Sequence, residues 1–213
     1  MTRYSLPLIL SVIALSFLSC DREINKVESQ LYVAKALQAV DGEYLYVDVQ
    51  QKDVWNSPRR LLGVARDTDI DLRFLDDSTL MMSNIRSRLD GYPILVANLK
   101  VDSIPYLDWP GGVHVIGGDT ITLAHAEQDG WNVTTSQLQS TPNVLIITIE
   151  SFPPGRHLWR DAVVFLGADD IKIDSLNSCV AFVSCRWIGS KAMQHFKFDV
   201  TDDRWPPVIS LTE

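Results

Sequence analysis

The run Val144 to Phe152, VLIITIESF, constrains this chain more than any other stretch. Five of its nine residues are β-branched. Such side chains lose rotamer freedom in a helix and pack well on a pleated surface. Pro153-Pro154-Gly155 then stops the run. The stretch predicts a central strand, and a central strand needs neighbours on both sides. Candidates are plentiful. Ile70, Leu72 and Phe74 alternate with Asp69, Asp71 and Arg73, the pattern of a half-buried strand. Asp129-Gly130 between Thr120–Ala126 and Trp131–Thr135 is a two-residue hairpin signal. Glu43–Gln50, Leu61–Ala65, Ile94–Val101 and Val113–Ile116 read as further strands, as do Ala162–Leu166, Ile171–Ile173, Cys179–Ile188, Phe196–Val200 and Val208–Leu211.

Two segments carry helix signals instead. Ile24, Val27, Leu31, Ala34, Leu37 and Val40 recur at three- and four-residue spacing, and Asp41-Gly42 follows as a stop. A strand over Leu31–Leu37 is the competing reading. Asp77-Ser78 is placed to cap a short helix over Thr79–Leu89, closed by Asp90-Gly91. The expected fold is therefore mainly β: a single sandwich or barrel-like domain with one or two helices in its N-terminal half. No fixed-period repeat and no low-complexity linker divides it. If a boundary exists, the polar stretch Ser136–Asn143 is the place for it.

Residues 1–20, MTRYSLPLILSVIALSFLSC, differ from the rest. Arg3 and the free amine precede an apolar run from Leu6 to Leu18, broken only by Pro7, Ser11 and Ser16. Ser19, Cys20 and the charged Asp21-Arg22-Glu23 come next. Basic, then apolar, then small is the order of a secretory leader. The 13-residue run is shorter than the roughly 18 residues a spanning helix needs. An ordinary signal peptidase takes small residues one and three places before its cut. A cut after Ser19 would put Phe17 in the third place.

Leu15-Ser16-Phe17-Leu18-Ser19-Cys20 resembles the lipobox of bacterial lipoproteins, with Phe17 where Leu is commonest. The resemblance implies that the Cys20 thiol takes a diacylglycerol, that the chain is cut before Cys20, and that the new amine is acylated. It implies a bacterial cell-envelope location, on the periplasmic or surface face, with the membrane held through acyl chains. Asp21 resembles the signal that keeps such lipoproteins in the inner membrane of enteric bacteria. The chain then divides into a signal peptide (1–19), a lipidated Cys with tether and helix (20–41), and a β-rich domain (42–213). An ordinary secreted protein and a short membrane anchor remain the other readings of the segment.

Without the leader the chain keeps 193 residues, with 18 basic and 27 acidic side chains and a net charge of −9. That balance argues against a nucleic-acid partner, which needs a basic face. It argues equally against electrostatic docking on anionic lipid. Cys179 and Cys185 remain, and an exported pair suggests a disulfide. Yet both sit on one strand-like run, where six residues span about 20 Å, and a disulfide needs Cα atoms within about 7 Å. No turn residue lies between them, so two buried thiols on one strand face are the expected arrangement.

No motif announces a reaction or a cofactor. Gly-x-Ser-x-Gly, a phosphate loop, His-Glu-x-x-His and Cys-x-x-Cys are all missing. Asp119-Thr120 lacks the following Gly that an aspartic-protease turn needs. His114 and His125, with Glu127 or Asp119, are a conceivable metal set; His157 and His195 stand alone. Asp169, Asp170 and Asp174 form an acidic cluster that reads as a solvated turn, and Arg59-Arg60 and Arg156-His157 read as surface. Trp109, Trp131, Trp159, Trp187 and Trp205 are spread along the β-rich part, several beside turns. Trp109, Trp131 and Trp205 are candidate ligand-stacking rings, and core corners or strand-end plugs are the competing reading of the set. These features predict a non-catalytic, lipid-anchored domain that binds a protein or envelope component, such as an immunity or accessory factor. A periplasmic hydrolase without a recognisable motif, or a lipid carrier with an apolar cavity, are the alternatives.

Overall fold

A computed structural model describes residues 21–39, 44–55, 58–65, 70–84, 93–109, 119–151, 159–177, 180–199 and 208–212. The described residues form sixteen strands and no helix. They are β1 (Arg22–Glu28), β2 (Tyr32–Gln38), β3 (Tyr44–Gln51), β4 (Arg59–Ala65), β5 (Ile70–Phe74), β6 (Thr79–Asn84), β7 (Ile94–Asn98) and β8 (Leu107–Trp109). Then follow β9 (Thr120–Gln128), β10 (Trp131–Leu138), β11 (Val144–Ser151), β12 (Trp159–Leu166), β13 (Ala168–Asn177), β14 (Val180–Trp187), β15 (Met193–Asp199) and β16 (Val208–Thr212).

Three sheets result. The first has the order β1-β2-β3-β4-β8, the central one β5-β6-β7-β12-β11-β10-β9, and the third β13-β14-β15-β16. The central sheet is covered on both faces. Val144, Ile146, Val164, Leu95 and Leu80 point into a core shared with Ala34, Val47 and Leu62 of the first sheet. Leu145, Ile147, Phe165, Val96 and Met81 point the other way, against Val183, Trp187 and Phe196 of the third. This explains the apolar run Val144–Ile147 that opens β11: where a strand is buried on both faces it has no polar side to alternate with. The sandwich thus has three layers and two cores. Fully buried side chains, Phe165, Phe196 and Ile146 among them, pack the two cores.

The hairpin at Asp129-Gly130 forms as expected. Both residues have positive φ (52° and 81°), the left-handed pair that a two-residue turn between twisted strands requires. The strands expected at Asp69–Phe74, Ala162–Leu166, Cys179–Ile188 and Phe196–Val200 also appear, within a few residues at their ends. Val113–Ile116 lies outside the described residues.

The two expected helices are corrected. In place of the helix expected over Ile24–Val40, the described residues form the β1–β2 hairpin, Arg22–Glu28 and Tyr32–Gln38. Val40 and the division expected at residues 41 and 42 lie outside the described residues. Tyr32, Ala34 and Ala36 are buried while Val33, Lys35 and Leu37 are less so, a period of two hidden beneath helical spacing. Ser29 makes the turn: its Oγ accepts from the Leu31 and Tyr32 amides and donates to the Asp77 carbonyl (3.2, 3.0 and 2.8 Å). The start of the second helix is β6. Leu80 and Met82 face one core and Met81 the other. A short apolar run buried on both sides carries no periodicity to separate helix from strand. Ser136–Asn143 is no boundary; it ends β10 and turns into β11.

The pairing defines two ends. Arg22, Gln38, Leu45, Val64 and Trp109 are neighbours across the first sheet at its N-terminal end. The opposite, distal end is where the layers are stitched together. Tyr32 OH donates to the Leu99 carbonyl (3.2 Å) and Arg59 Nη1 to the Val101 carbonyl (2.6 Å). Gly167, at the corner from β12 to β13, donates its amide to Asn143 (2.8 Å).

Candidate functional site at the distal end

A cleft of about 950 Å³ opens at the distal end, between the turns of the central and third sheets. Asp76 and Ser78 come from the β5–β6 turn, Lys100 and Asp102 from the segment after β7, and Trp187, Gln194 and His195 from the β14–β15 hairpin.

Asp76 organises it. Its Oδ1 accepts from the Ser78 and Thr79 amides at 2.7 and 2.6 Å and from Ser78 Oγ at 3.2 Å. Its Oδ2 accepts from Thr79 Oγ1 at 3.1 Å and from Gln194 Nε2 at 2.8 Å. The sequence places a cap here and the structure uses one, but at Asp76 rather than Asp77, and it opens a strand. Burial pushes the Asp76 carboxyl up, but the amides and hydroxyls of Ser78 and Thr79 outweigh it and hold it below its ordinary value of 3.8. Gln194 spans the layers. Its Nε2 also donates to Thr79 Oγ1 (3.1 Å), and its Oε1 accepts from the buried Trp187 Nε1 (2.5 Å). Trp187 in turn packs on Phe165 and Phe196, with centroids 5.9 and 6.4 Å away.

His195 lies beside a second cluster on the outer face of the third sheet. Its Nδ1 is 3.6 Å from Asp174 Oδ2, and Ser184 Oγ donates to Asp174 Oδ1 at 2.9 Å. Serine, histidine and aspartate thus meet, but in the wrong order for a nucleophile. An activated serine gives its proton to an imidazole that the carboxylate orients. Here the carboxylate accepts the hydroxyl's hydrogen bond in the imidazole's place, and Ser184 is 3% exposed. Asp169, Asp170 and Asp174 lie within β13 rather than in the expected solvated turn, and Asp169 and Asp170 pair with Arg186 at 2.9 and 3.9 Å.

The remaining candidates scatter. His125 is exposed on β9, its Nδ1 3.1 Å from Thr134 Oγ1. Among the described residues no three His, Cys, Asp or Glu side chains group to hold a metal. Asp119 is an exposed bend before β9 whose carbonyl accepts from Gln139. Arg59 is spent on backbone carbonyls, and Arg60 sits 4.1 Å over the Tyr46 ring. Trp131 is half-buried against the second core, Trp109 ends β8, and Trp159 begins β12. Cys185 is a free, buried thiol of that core. Burial, with Asp169 and Asp170 adding, pushes this thiol up. Cys20, His114, Arg156, His157, Cys179 and Trp205 lie outside the described residues.

Sequence reasoning passed over Trp55. It stands in the β3–β4 connection with its side chain fully in solvent, 101% exposed. Leu31, Val54 and Tyr106 are also exposed on distal turns of the same sheet. The signal was present: Val54-Trp55 stands alone between the polar Lys52-Asp53 and Asn56-Ser57-Pro58, with no longer apolar run to carry the ring into a core. Asp76 and Gln194 were invisible for another reason, since 118 residues separate them.

No family model matches this chain, and no curated protein matches it. The solved structure of oligopeptidase B from Leishmania major matches across 92% of this chain, at 8% identity and a TM-score of 0.29. The chain spans 27% of the length of that protein. At that score the likeness carries no argument. Among the described residues no helix is long and apolar enough to cross a membrane.

Proposed function

We propose that this protein is a bacterial lipoprotein, acylated on Cys20, whose non-catalytic β domain binds a protein or envelope component through its distal end. One observation carries the reading. A basic, apolar and small-residue leader ends at Cys20, and β1 begins two residues later at Arg22. Among the described residues the chain from Arg22 onward builds the sheets, so Cys20 stands at the junction between the leader-like run and the domain. The exposed Trp55 and the mixed-charge cleft around Asp76, Lys100 and Asp102 supply a contact surface of the kind aromatic anchors make.

The hydrolase reading would draw on Ser184, Asp174 and His195, and the direction of the serine's hydrogen bond weighs against it. Fractionation tests the proposal. Wild-type protein is expected in the membrane fraction after salt and alkaline washes and in solution after detergent. Cys20→Ser is expected to carry no acyl label and to lose wash-resistant retention. A Cys20→Ser protein still held as firmly as wild type would refute the acyl anchor and leave an anchoring helix in its place.

A further inference from the structure

Asp21 is not part of a loose tether. The Tyr46 hydroxyl donates to its carboxylate. Tyr46 is itself 8% exposed, under the Arg60 guanidinium, and Arg60 Nε reaches Asp48 at 3.6 Å. Burial, then the bond to Asp21, pushes the Tyr46 hydroxyl up to about 12, so it stays a donor at any physiological pH. The first sheet therefore grips the chain one residue from Cys20. Extended chain covers at most about 3.6 Å per residue. A flexible linker of n residues would let a domain wander roughly 5–6 Å × √n; here there is no such linker.

We propose that the N-terminal end of the first sheet, carrying Asp21, Gln38, Ala39 and Tyr44, lies directly against the lipid headgroups, and that the distal cleft is held out from the bilayer at a set height. The inference rests on the acyl-anchor reading and adds a surface, a lipid partner and an orientation to it. The height follows from strand geometry. Ser29 lies eight residues beyond Asp21 and bonds to Asp77, beside the cleft. At about 3.3 Å per residue the cleft's edge stands roughly 25 Å from the anchor point. Tyr44 is 49% exposed at the membrane end, and a ring with a polar tip suits the headgroup region. The acidic charge of the domain offers no attraction to lipid, so the short tether sets the pose.

Two readouts separate this claim from the reading beneath it. Full-length protein, matured in cells, is reconstituted in phosphatidylcholine vesicles containing a nitroxide-headgroup lipid. In a Cys179→Ser background, Tyr44→Cys or Gln30→Cys carries a fluorophore; Cys185 is buried. Flotation reads attachment and quenching reads orientation. The expected result is flotation of both, with the Tyr44 position quenched several-fold more than the Gln30 position. Failure to float would bring down the anchor and the orientation together. Flotation with equal quenching, or with stronger quenching at Gln30, would overturn the orientation alone. A Gly/Ser linker of about 12 residues between Cys20 and Asp21 should erase the difference while leaving flotation intact. A difference that survives the linker would overturn tether length as its cause.

Discussion

Gln194→Ala cuts a side chain that binds the turn of the central sheet to the hairpin of the third. Two losses follow. Trp187 Nε1 loses its acceptor, and Trp187 is 3% exposed; a buried donor left unpaired costs about 1–3 kcal/mol. The bond from Gln194 Nε2 to Asp76 also goes. Asp76 keeps its bonds from Ser78 and Thr79, and water can reach the vacated oxygen, so this second loss is about 1 kcal/mol. Together the change should destabilise the domain by about 2–4 kcal/mol. Urea unfolding of residues 21–213, followed by circular dichroism, reads it. With a slope of roughly 2 kcal/mol/M, the midpoint should fall by about 1–2 M. A double-mutant cycle with Asp76→Ala should return a coupling of about 1 kcal/mol. A midpoint within about 0.3 M of wild type would refute the reasoning, because it would mean that the indole finds another acceptor and that the layers are joined by packing alone.

Three further outcomes follow from other parts of the structure. Gly167 has φ +83°, and a Cβ there would meet Val101 Cγ1 at 3.1 Å; Gly167→Ala should lower stability by about 1–3 kcal/mol, seen as a drop in thermal midpoint, and an unchanged midpoint would show that the corner has room to relax. The folded-state carboxyl of Asp76 titrates below its ordinary 3.8, so the stability it contributes is present above that pH and is lost as pH falls through the lower folded value. The advantage of wild type over Asp76→Asn should therefore be full at about pH 6 and shrink towards about pH 3; a pH-independent difference would rule out the ionised carboxylate as its source. Cys185 should resist a maleimide until the domain unfolds, in a Cys179→Ser background; prompt labelling of the folded protein would contradict its place in the core.

What the sequence disclosed depended on whether the physics was local. Asp129-Gly130 and the alternation of Ile70, Leu72 and Phe74 are decided within a few residues, and both appeared as read. The β-branched run at Val144 was read as central, although its burial on both faces depends on two sheets brought from elsewhere. Ile24–Val40 misled because its apolar residues satisfy two periods at once, and β2's place between β1 and β3 decides between them. The cleft was not legible. Its binding elements are a turn near residue 76 and a hairpin near residue 190, brought together only when the layers stack. Trp55 was legible from the polar stretch around Val54-Trp55, whereas Trp131, read as a candidate stacking ring, packs against the core.

The central claim is that this domain is held to a membrane by lipid on Cys20. Mass spectrometry of the N-terminal peptide of the protein extracted from cell membranes tests it most directly. The account predicts a mature chain beginning at Cys20 and carrying the added mass of a diacylglyceryl group, with or without a further acyl chain on the amine. An unmodified Cys20 inside an uncleaved leader, or a mature chain that begins elsewhere, would contradict it.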